Sequence, residues 1–235
     1  MFKKITLITS LVTACLFSSA NAAEVSVSKL RINLENGQTT DFLNLNNQST
    51  TNKESFEVTL QKWSQKPAEK FGEAPIEVLE NSSDIIVSPK TLVVLPGKDK
   101  VVRLIVNKPE EVKKNYSYRL IINQLPNKEV GSSTNTVNLL FKISLPIFIY
   151  QDAIKTVGKM KIENNIVTQN GKKYLSIKNN DTQHIQISGI NSGEKKFGSS
   201  QYLLPGSSVA IEIPSNVSSN NLEIMTDKGN LKITN

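Results

Sequence analysis

Few side chains in this sequence could carry nucleophilic, metal-binding or acid–base chemistry. His184 is the only histidine and Cys15 the only cysteine among the 235 residues. A chain with one histidine and one cysteine has little means for His-based nucleophilic catalysis and cannot form the usual Cys/His zinc sites. No glycine-rich phosphate-binding loop occurs, and the spacing of the 21 acidic residues singles out no catalytic pair. We therefore expect that the protein is not an enzyme and holds no metal or cofactor, and we interpret His184 as a strand-edge histidine satisfied by local partners.

The first 22 residues are typical of a targeting segment. Lys3 and Lys4 form a positive region, Ile5 to Phe17 an apolar region, and Ala20-Asn21-Ala22 fits an A-x-A cleavage site. We predict a signal peptide over residues 1–22 and a mature chain that begins at Ala23.

An alternative for this segment is lipoprotein processing. Val12-Thr13-Ala14-Cys15 resembles a bacterial lipoprotein cleavage box, which would place a lipid on Cys15. The apolar region is too short for a stable membrane anchor, and no later apolar stretch approaches eighteen residues. We therefore expect no stable membrane insertion of the mature protein.

The charge of the chain argues against nucleic acid as a partner. The formal net charge of +7 falls to +5 once Lys3 and Lys4 leave with the signal peptide. The basic residues are spread along the chain, with no basic block and few aromatic residues between them. A partner that is a protein with acidic or carboxylate groups suits such a surface better.

The stretch Thr136 to Tyr150, TVNLLFKISLPIFIY, is the strongest structural element of the sequence. It is apolar at every second position, which predicts a long β-strand with two unlike faces. Asn138, Lys142 and Ser144 lie on the opposite face. The apolar positions are Val137, Leu139, Phe141, Ile143, Leu145, Ile147 and Ile149. The apolar face of such a strand must be buried, and we expect another protein to bury part of it.

The rest of the chain is also predicted to be β-structure. Short alternating segments with turns every eight to twelve residues are typical of all-β sandwiches. We predict a loop over Ser64 to Pro75, a linker over Asp152 to Val157, and Trp63 in a core. Two β-sandwich domains joined near residue 150 follow, over residues 23–150 and 151–235. The predicted strands are Glu24–Asn33, Phe42–Leu45, Phe56–Trp63, Asp84–Val87, Thr91–Leu95, Val101–Val106, Tyr116–Leu125, Lys161–Ile166, Lys173–Lys178, Ile185–Ile190, Tyr202–Leu204, Val209–Ile213, Leu222–Met225 and Leu231–Ile233.

Several segments together resemble the periplasmic pilus-assembly chaperones of the chaperone–usher pathway. DIIVSPKTLVVLPGKDKVVRL is similar to that family's strand–Pro–strand–Pro-Gly–strand–Arg element. VSKLRINL, EVTLQKW, YSYRLIINQLP and the long alternating strand follow the family's order, as do YLSIKNNDTQHIQISGI and YLLPGSSVAIEI in the second half. The resemblance implies an all-β fold of two immunoglobulin-like β-sandwich domains in an L-shaped arrangement.

The resemblance also implies a periplasmic chaperone without enzyme activity. It would bind pilus or fimbrial subunits by donating a strand, and then deliver them to an outer-membrane usher. In strand addition, backbone hydrogen bonds give affinity and alternate side chains fill pockets. Val137, Leu139, Phe141 and Ile143 would be the inserted side chains.

The family's chaperones hold the subunit's C-terminal carboxylate with an arginine of the first strand and a lysine of the donor strand. Arg31 in VSKLRINL matches the arginine. The lysine position falls on Ser144, with Lys142 two residues earlier on the same face. This departure, with the apolar LPIFI run, is more similar to the archaic and alternative branches. Arg103 and Arg119 are alternative anchors, although Arg103 could instead pair with acidic residues of the second domain.

Two other classes of protein are alternatives to a chaperone. A secreted pilus subunit or adhesin would consist of one incomplete domain behind a long extension, whereas this chain predicts two domains. An exported carbohydrate-binding or hydrolytic β-sandwich would need more aromatic residues than 6% and a single tryptophan.

Overall fold

The computed structural model describes residues 25–112, 114–126 and 140–233. The predicted signal peptide, Cys15, Val137 and Leu139 lie outside the described residues. Within those ranges the chain forms β-strands and two short 3-10 turns, Pro109–Glu111 and Val157–Lys159. No helix of the described part is long and apolar enough to cross a membrane. The predicted all-β fold is confirmed.

The first ten strands form two sheets that pack against each other. One sheet has the order β1-β3-β8-β6, and the other has the order β2-β10-β9-β4-β5 with β7 also paired to β4. Alternate side chains of both sheets meet in one hydrophobic core that extends along the chain from Ile32 to Ile149. The strands are Val25–Val27 (β1), Ile32–Leu34 (β2), Thr40–Asn47 (β3), Glu54–Lys66 (β4), Ile76–Asn81 (β5), Ile85–Ser88 (β6), Thr91–Val94 (β7), Asp99–Val106 (β8), Tyr116–Leu125 (β9) and Lys142–Ile149 (β10).

The remaining eight strands form a second sandwich with its own core, which extends along the chain from Val157 to Ile233. Its sheets have the orders β11-β12-β16 and β14-β13-β17-β18, and β15 also pairs with β13. No strand is shared between the two sandwiches in the described residues. The strands are Ile162–Gln169 (β11), Lys172–Asn179 (β12), Ile185–Ser192 (β13), Lys195–Phe197 (β14), Gln201–Leu203 (β15), Ser208–Glu212 (β16), Leu222–Thr226 (β17) and Gly229–Lys232 (β18).

The predicted loop over Ser64 to Pro75 is wrong at its start. β4 continues to Lys66, because its last residues pair with β5. β5 itself was not predicted, and neither was β14. Five of the six β5 residues are exposed, so the strand lacks the alternation that identifies a half-buried strand in a sequence.

Candidate functional site

Strand β10 has an open edge over its first half. On one side it pairs antiparallel with β9 along its whole length, from Lys142 to Ile149. On its other side it pairs in parallel with β2, and only over Ile147–Ile149. Residues 142–146 therefore have no neighbouring strand on that side among the described residues. An edge of this kind presents backbone groups that another chain can pair with.

The backbone direction along this edge follows from two hydrogen bonds. The Phe141 carbonyl accepts a hydrogen bond from the Gln124 N–H on β9, whereas the Tyr150 N–H donates to the carbonyl of Leu34, the last residue of β2. Because these directions alternate along a strand, the N–H groups of Lys142 and Ser144 point to the open edge. Pro146 has no N–H, and prolines within sheets are confined to such edges.

The odd-numbered side chains of β10 form an apolar stripe that passes from the core to solvent. Leu145, Ile147 and Ile149 are buried in the first core, and Ile143 packs against it while partly buried. Phe141, just before the strand, is 38% exposed. Leu140 lies on the opposite face by alternation and is 51% exposed.

Arg31 lies where the open edge ends, because it directly precedes β2. Its Nη1 donates to Asp227 Oδ2 of the second sandwich at 2.5 Å, and its side chain is 31% exposed. The Gln186 N–H donates to the other carboxylate oxygen, Oδ1, at 2.8 Å. Burial by itself would raise the pKa of Asp227, but its hydrogen bonds and the nearby charges, Arg31 among them, lower it to about 2. Asp227 is therefore an anion that is fixed to the second domain and faces Arg31.

Arg119 lies on β9 directly opposite Pro146 of β10. Its guanidinium carbon is 3.7 Å from the ring centroid of Trp63 and 5.8 Å from that of Tyr202. Its Nη2 donates to Glu77 Oε1 at 2.6 Å, and its side chain is 13% exposed. The two predicted anchors Arg31 and Arg119 thus both lie at the junction of the two sandwiches, and each is paired with a carboxylate of the chain itself.

Aromatic side chains from both sandwiches fill the junction. Trp63 is buried there, as predicted, but in a cluster separate from the sandwich cores. The interpretation of His184 as a strand-edge residue with local partners is wrong, because its side chain is 2% exposed and contacts the first sandwich. Its Nδ1 lies 3.3 Å from the Tyr150 hydroxyl, and its Nε2 lies 3.7 Å from Asp227 Oδ2. The cluster comprises Trp63, Phe148 and Tyr150 of the first sandwich and His184, Tyr202 and Leu204 of the second.

Direct hydrogen bonds fix the two sandwiches to each other around this cluster. The Gln65 side chain donates to the Tyr202 carbonyl and accepts from the Leu204 N–H, each at 2.9 Å. The Asn115 amide donates to the Thr182 carbonyl at 3.1 Å. The open edge and Arg31 are therefore held next to a junction with many contacts.

The other two candidate anchors lie apart from Arg31. Lys142 is exposed at the far end of β10, and the five residues to Ile147 span roughly 17 Å of strand. Arg103 is exposed on β8, in the sheet that does not carry β10. Among the described residues Arg103 has no acidic partner in the second sandwich, so the expectation of such a pair is wrong.

Comparison with known proteins gives one family match and several structural neighbours. Residues 24–155 match the sequence profile of a family described as pili and flagellar-assembly chaperone, PapD N-terminal domain. None of the curated protein sequences compared with the chain matches it.

The structural neighbours include chaperones from three bacteria. One chain of the CsuC–CsuE chaperone–tip adhesion subunit pre-assembly complex, from archaic Csu pili of Acinetobacter baumannii, is 20% identical with a TM-score of 0.64. That alignment covers 90% of this chain and 97% of the other. A chain of the Salmonella enterica SafA pilin–SafB chaperone complex is 16% identical, with a TM-score of 0.63 and coverages of 90% and 96%. The E. coli chaperone DraB is 13% identical, with a TM-score of 0.60 and the same coverages. At these identities the likeness establishes the fold.

Proposed function

The chain belongs to the family of pili and flagellar-assembly chaperones, and we propose that it holds pilus subunits by pairing a subunit strand with β10. The observation that carries this proposal is the open edge of β10 over residues 142–146. Two neighbouring structures are complexes of a chaperone with a pilus subunit or tip adhesion subunit. An incomplete subunit would otherwise expose a groove and an unpaired edge of its own, which favours aggregation.

The position of β2 sets the direction of the added strand. β2 occupies the same edge of β10 further along and runs parallel to β10. A subunit strand beside residues 142–146 lies in line with β2 and ends where Arg31 begins. Only a strand parallel to β10 brings its carboxyl terminus, rather than its amino terminus, to Arg31. A terminal carboxylate there would form a charge-assisted pair with the guanidinium.

Side chains of the donor strand supply the apolar part of the interaction. Phe141 is exposed and continues the stripe of Ile143. The sequence alternation adds Val137 and Leu139 to this set. Burying each large side chain in a subunit groove contributes about 1.5–3 kcal/mol. Backbone pairing at the open edge and apolar contacts of this stripe then act together.

The basic residues have different roles in this proposal. Arg31 binds the terminal carboxylate, because it lies at the end of the open edge. Arg119 is a second anchor one strand further into the sheet. Lys142 would lie beside upstream residues of the subunit strand, and Arg103 has no part in the anchor.

The remaining parts of the proposal come from the family and the sequence. Residues 1–22 direct the chain to the periplasm, and the domains comprise residues 23–150 and 151–235. The chaperone then delivers its subunit to an outer-membrane usher, in a pathway of the archaic or alternative branch. The alternative function, a secreted structural subunit or adhesin, would place the protein in surface fibres instead.

Affinity purification from the periplasm tests this function. A tagged chain should recover small subunit proteins in a one-to-one complex, and boiling should separate the two. A chain with Phe141→Ser should recover less subunit, and one with Leu140→Ser on the opposite face should behave like the wild type. Recovery of the tagged chain from surface fibres, with no subunit bound in the periplasm, would contradict the proposal.

A further inference from the structure

The guanidinium of Arg119 is held on the far side of its strand from the open edge. The sheet order is β2-β10-β9-β4-β5, so β10 lies on one side of β9, and β4 and β5 lie on the other. Arg119 projects from β9 across Trp63 of β4 to reach Glu77 of β5. With strands about 4.8 Å apart, a guanidinium that lies over β4 is roughly one strand spacing from β9 and two from β10.

The contact with Glu77 leaves the guanidinium incompletely paired. Glu77 accepts one N–H, that of Nη2, whereas Nε is buried and has no hydrogen-bond partner among the described residues. A guanidinium presents its Nε and Nη2 donors as a fork that matches both oxygens of a carboxylate. Glu77 is 44% exposed and makes no other ion pair in the described part of the chain. A partly exposed pair of this kind is weak, so another carboxylate can replace it.

We propose that Glu77 is a built-in competitor that holds Arg119 away from the open edge until a partner's carboxylate takes its place. This inference rests on the proposed function and names a residue that sets the affinity of the same site. Arg119 lies directly across from Pro146, the last residue of the open edge, and a side chain of its length spans the single strand spacing to β10. In the structure, Glu77 and Trp63 together hold the Arg119 guanidinium over β4 instead.

Trp63 provides a direct signal for this exchange. It is the only tryptophan of the chain, and the Arg119 guanidinium lies against its ring. Movement of the guanidinium away from the ring changes the environment of the indole and therefore its fluorescence. The probe is sodium acetate, a monocarboxylate, titrated into the purified protein at pH 7.5 against sodium chloride of equal ionic strength.

Four proteins make the test complete: the wild type, Glu77→Gln, Glu80→Gln and Arg119→Lys. Glu80 lies on the same strand and has no ion pair among the described residues, so Glu80→Gln removes the same charge without freeing Arg119. We expect the acetate midpoint of Glu77→Gln to be about two- to fivefold lower than that of the wild type, and that of Glu80→Gln to be unchanged. Arg119→Lys should abolish the acetate-specific change in Trp63 emission.

Two results would overturn the role of Glu77. One is an acetate midpoint of Glu77→Gln that equals that of the wild type or of Glu80→Gln. The other is a signal that persists in Arg119→Lys. The titration needs no subunit, so it tests the role of Glu77 separately from subunit binding. A negative acetate result would not contradict the proposed chaperone function, and a negative purification result would not contradict the competition of Glu77 for Arg119.

Discussion

The imidazole of His184 lies flat against the phenyl ring of Phe148, with ring centroids 3.4 Å apart and an angle of 13° between the planes. The two residues belong to different sandwiches, so this stack is part of the domain junction. Burial, the largest influence, lowers the pKa of His184 to about 4, although Asp227 opposes that shift. The positive charges of Lys228 and Arg31 also disfavour protonation of His184. The junction therefore accommodates a neutral imidazole at pH 7.

The first prediction is a loss of stability in mild acid. The folded-state pKa of His184 is lower than the ordinary value of 6.5, so the unfolded chain binds the extra proton between these values. The free energy of unfolding should therefore fall as pH decreases from 6.5 towards 4, by about 2 kcal/mol between pH 7.5 and pH 5. Urea unfolding followed by Trp63 fluorescence measures this difference.

His184→Gln is the matched variant, because the chain has no other histidine. Its free energy of unfolding should change little between pH 7.5 and pH 5. If the free energy of unfolding of the variant fell by the same amount between pH 7.5 and pH 5, groups other than His184 would be the cause.

The second prediction concerns Arg31→Ala. Removing one partner of a carboxylate clamp costs about 2–5 kcal/mol, so subunit affinity should fall by roughly thirtyfold or more. The variant also leaves Asp227 without its guanidinium and should unfold at a lower temperature. Adding Asp227→Asn removes that unpaired anion and should restore thermal stability without restoring subunit binding. Recovery of subunit binding in the double variant would contradict the role of Arg31 as the anchor.

The third prediction separates binding from folding along the donor stripe. Phe141→Ser should weaken the complex by about 1.5–3 kcal/mol, or roughly ten- to a hundredfold, and change the melting temperature of the free protein little. Ile143→Ser should lower both the subunit affinity and the melting temperature of the free protein, because Ile143 packs against the first core. Subunit binding and thermal unfolding of each free variant are the measurements. If Phe141→Ser destabilises the free protein as much as Ile143→Ser, Phe141 belongs to the core.

The fourth prediction tests the backbone of the open edge. Ser144→Pro removes an N–H that points away from β9, so the free protein should remain folded. A subunit strand would lose that hydrogen bond, and we expect at least about fivefold weaker binding. Ile143→Pro is the control, since its N–H points to β9 and the loss of that ladder hydrogen bond should destabilise the protein by about 1–3 kcal/mol. Unchanged subunit binding by Ser144→Pro would contradict strand addition at this edge.

The sequence predicted strands well wherever one face of the strand meets the core. β9 begins and ends at the residues predicted, Tyr116 and Leu125, because its apolar residues recur at a period of two. β5 escaped prediction because an exposed edge strand has no such pattern. The alternation of the long strand ends in the run LPIFIY, and residues 145–150 are all buried. That run was the sequence signal that something covers the second face of β10.

The partners of the junction could not be predicted from local patterns. Arg31 and Asp227 are 196 residues apart, and Arg119 and Glu77 are 42 apart, with other strands between. Periodicity indicates which face of a strand is apolar but not which distant side chain meets it. For the same reason the sequence placed Trp63 in a core without distinguishing a sandwich core from the junction.

The three-residue pairing of β2 with β10 gives the binding edge a fixed origin. On the proposed mode, a partner strand stops where β2 begins, so its register is counted backwards from its last residue. Each residue of the partner strand then lies beside one particular residue of β10. Shifting the partner strand by one residue would turn its apolar side chains to the opposite face of the sheet. The chaperone would thus align each subunit strand from its carboxyl terminus. Subunits with unrelated sequences could bind the same chaperone, provided that their apolar residues lie at the same alternate positions counted from the carboxyl terminus.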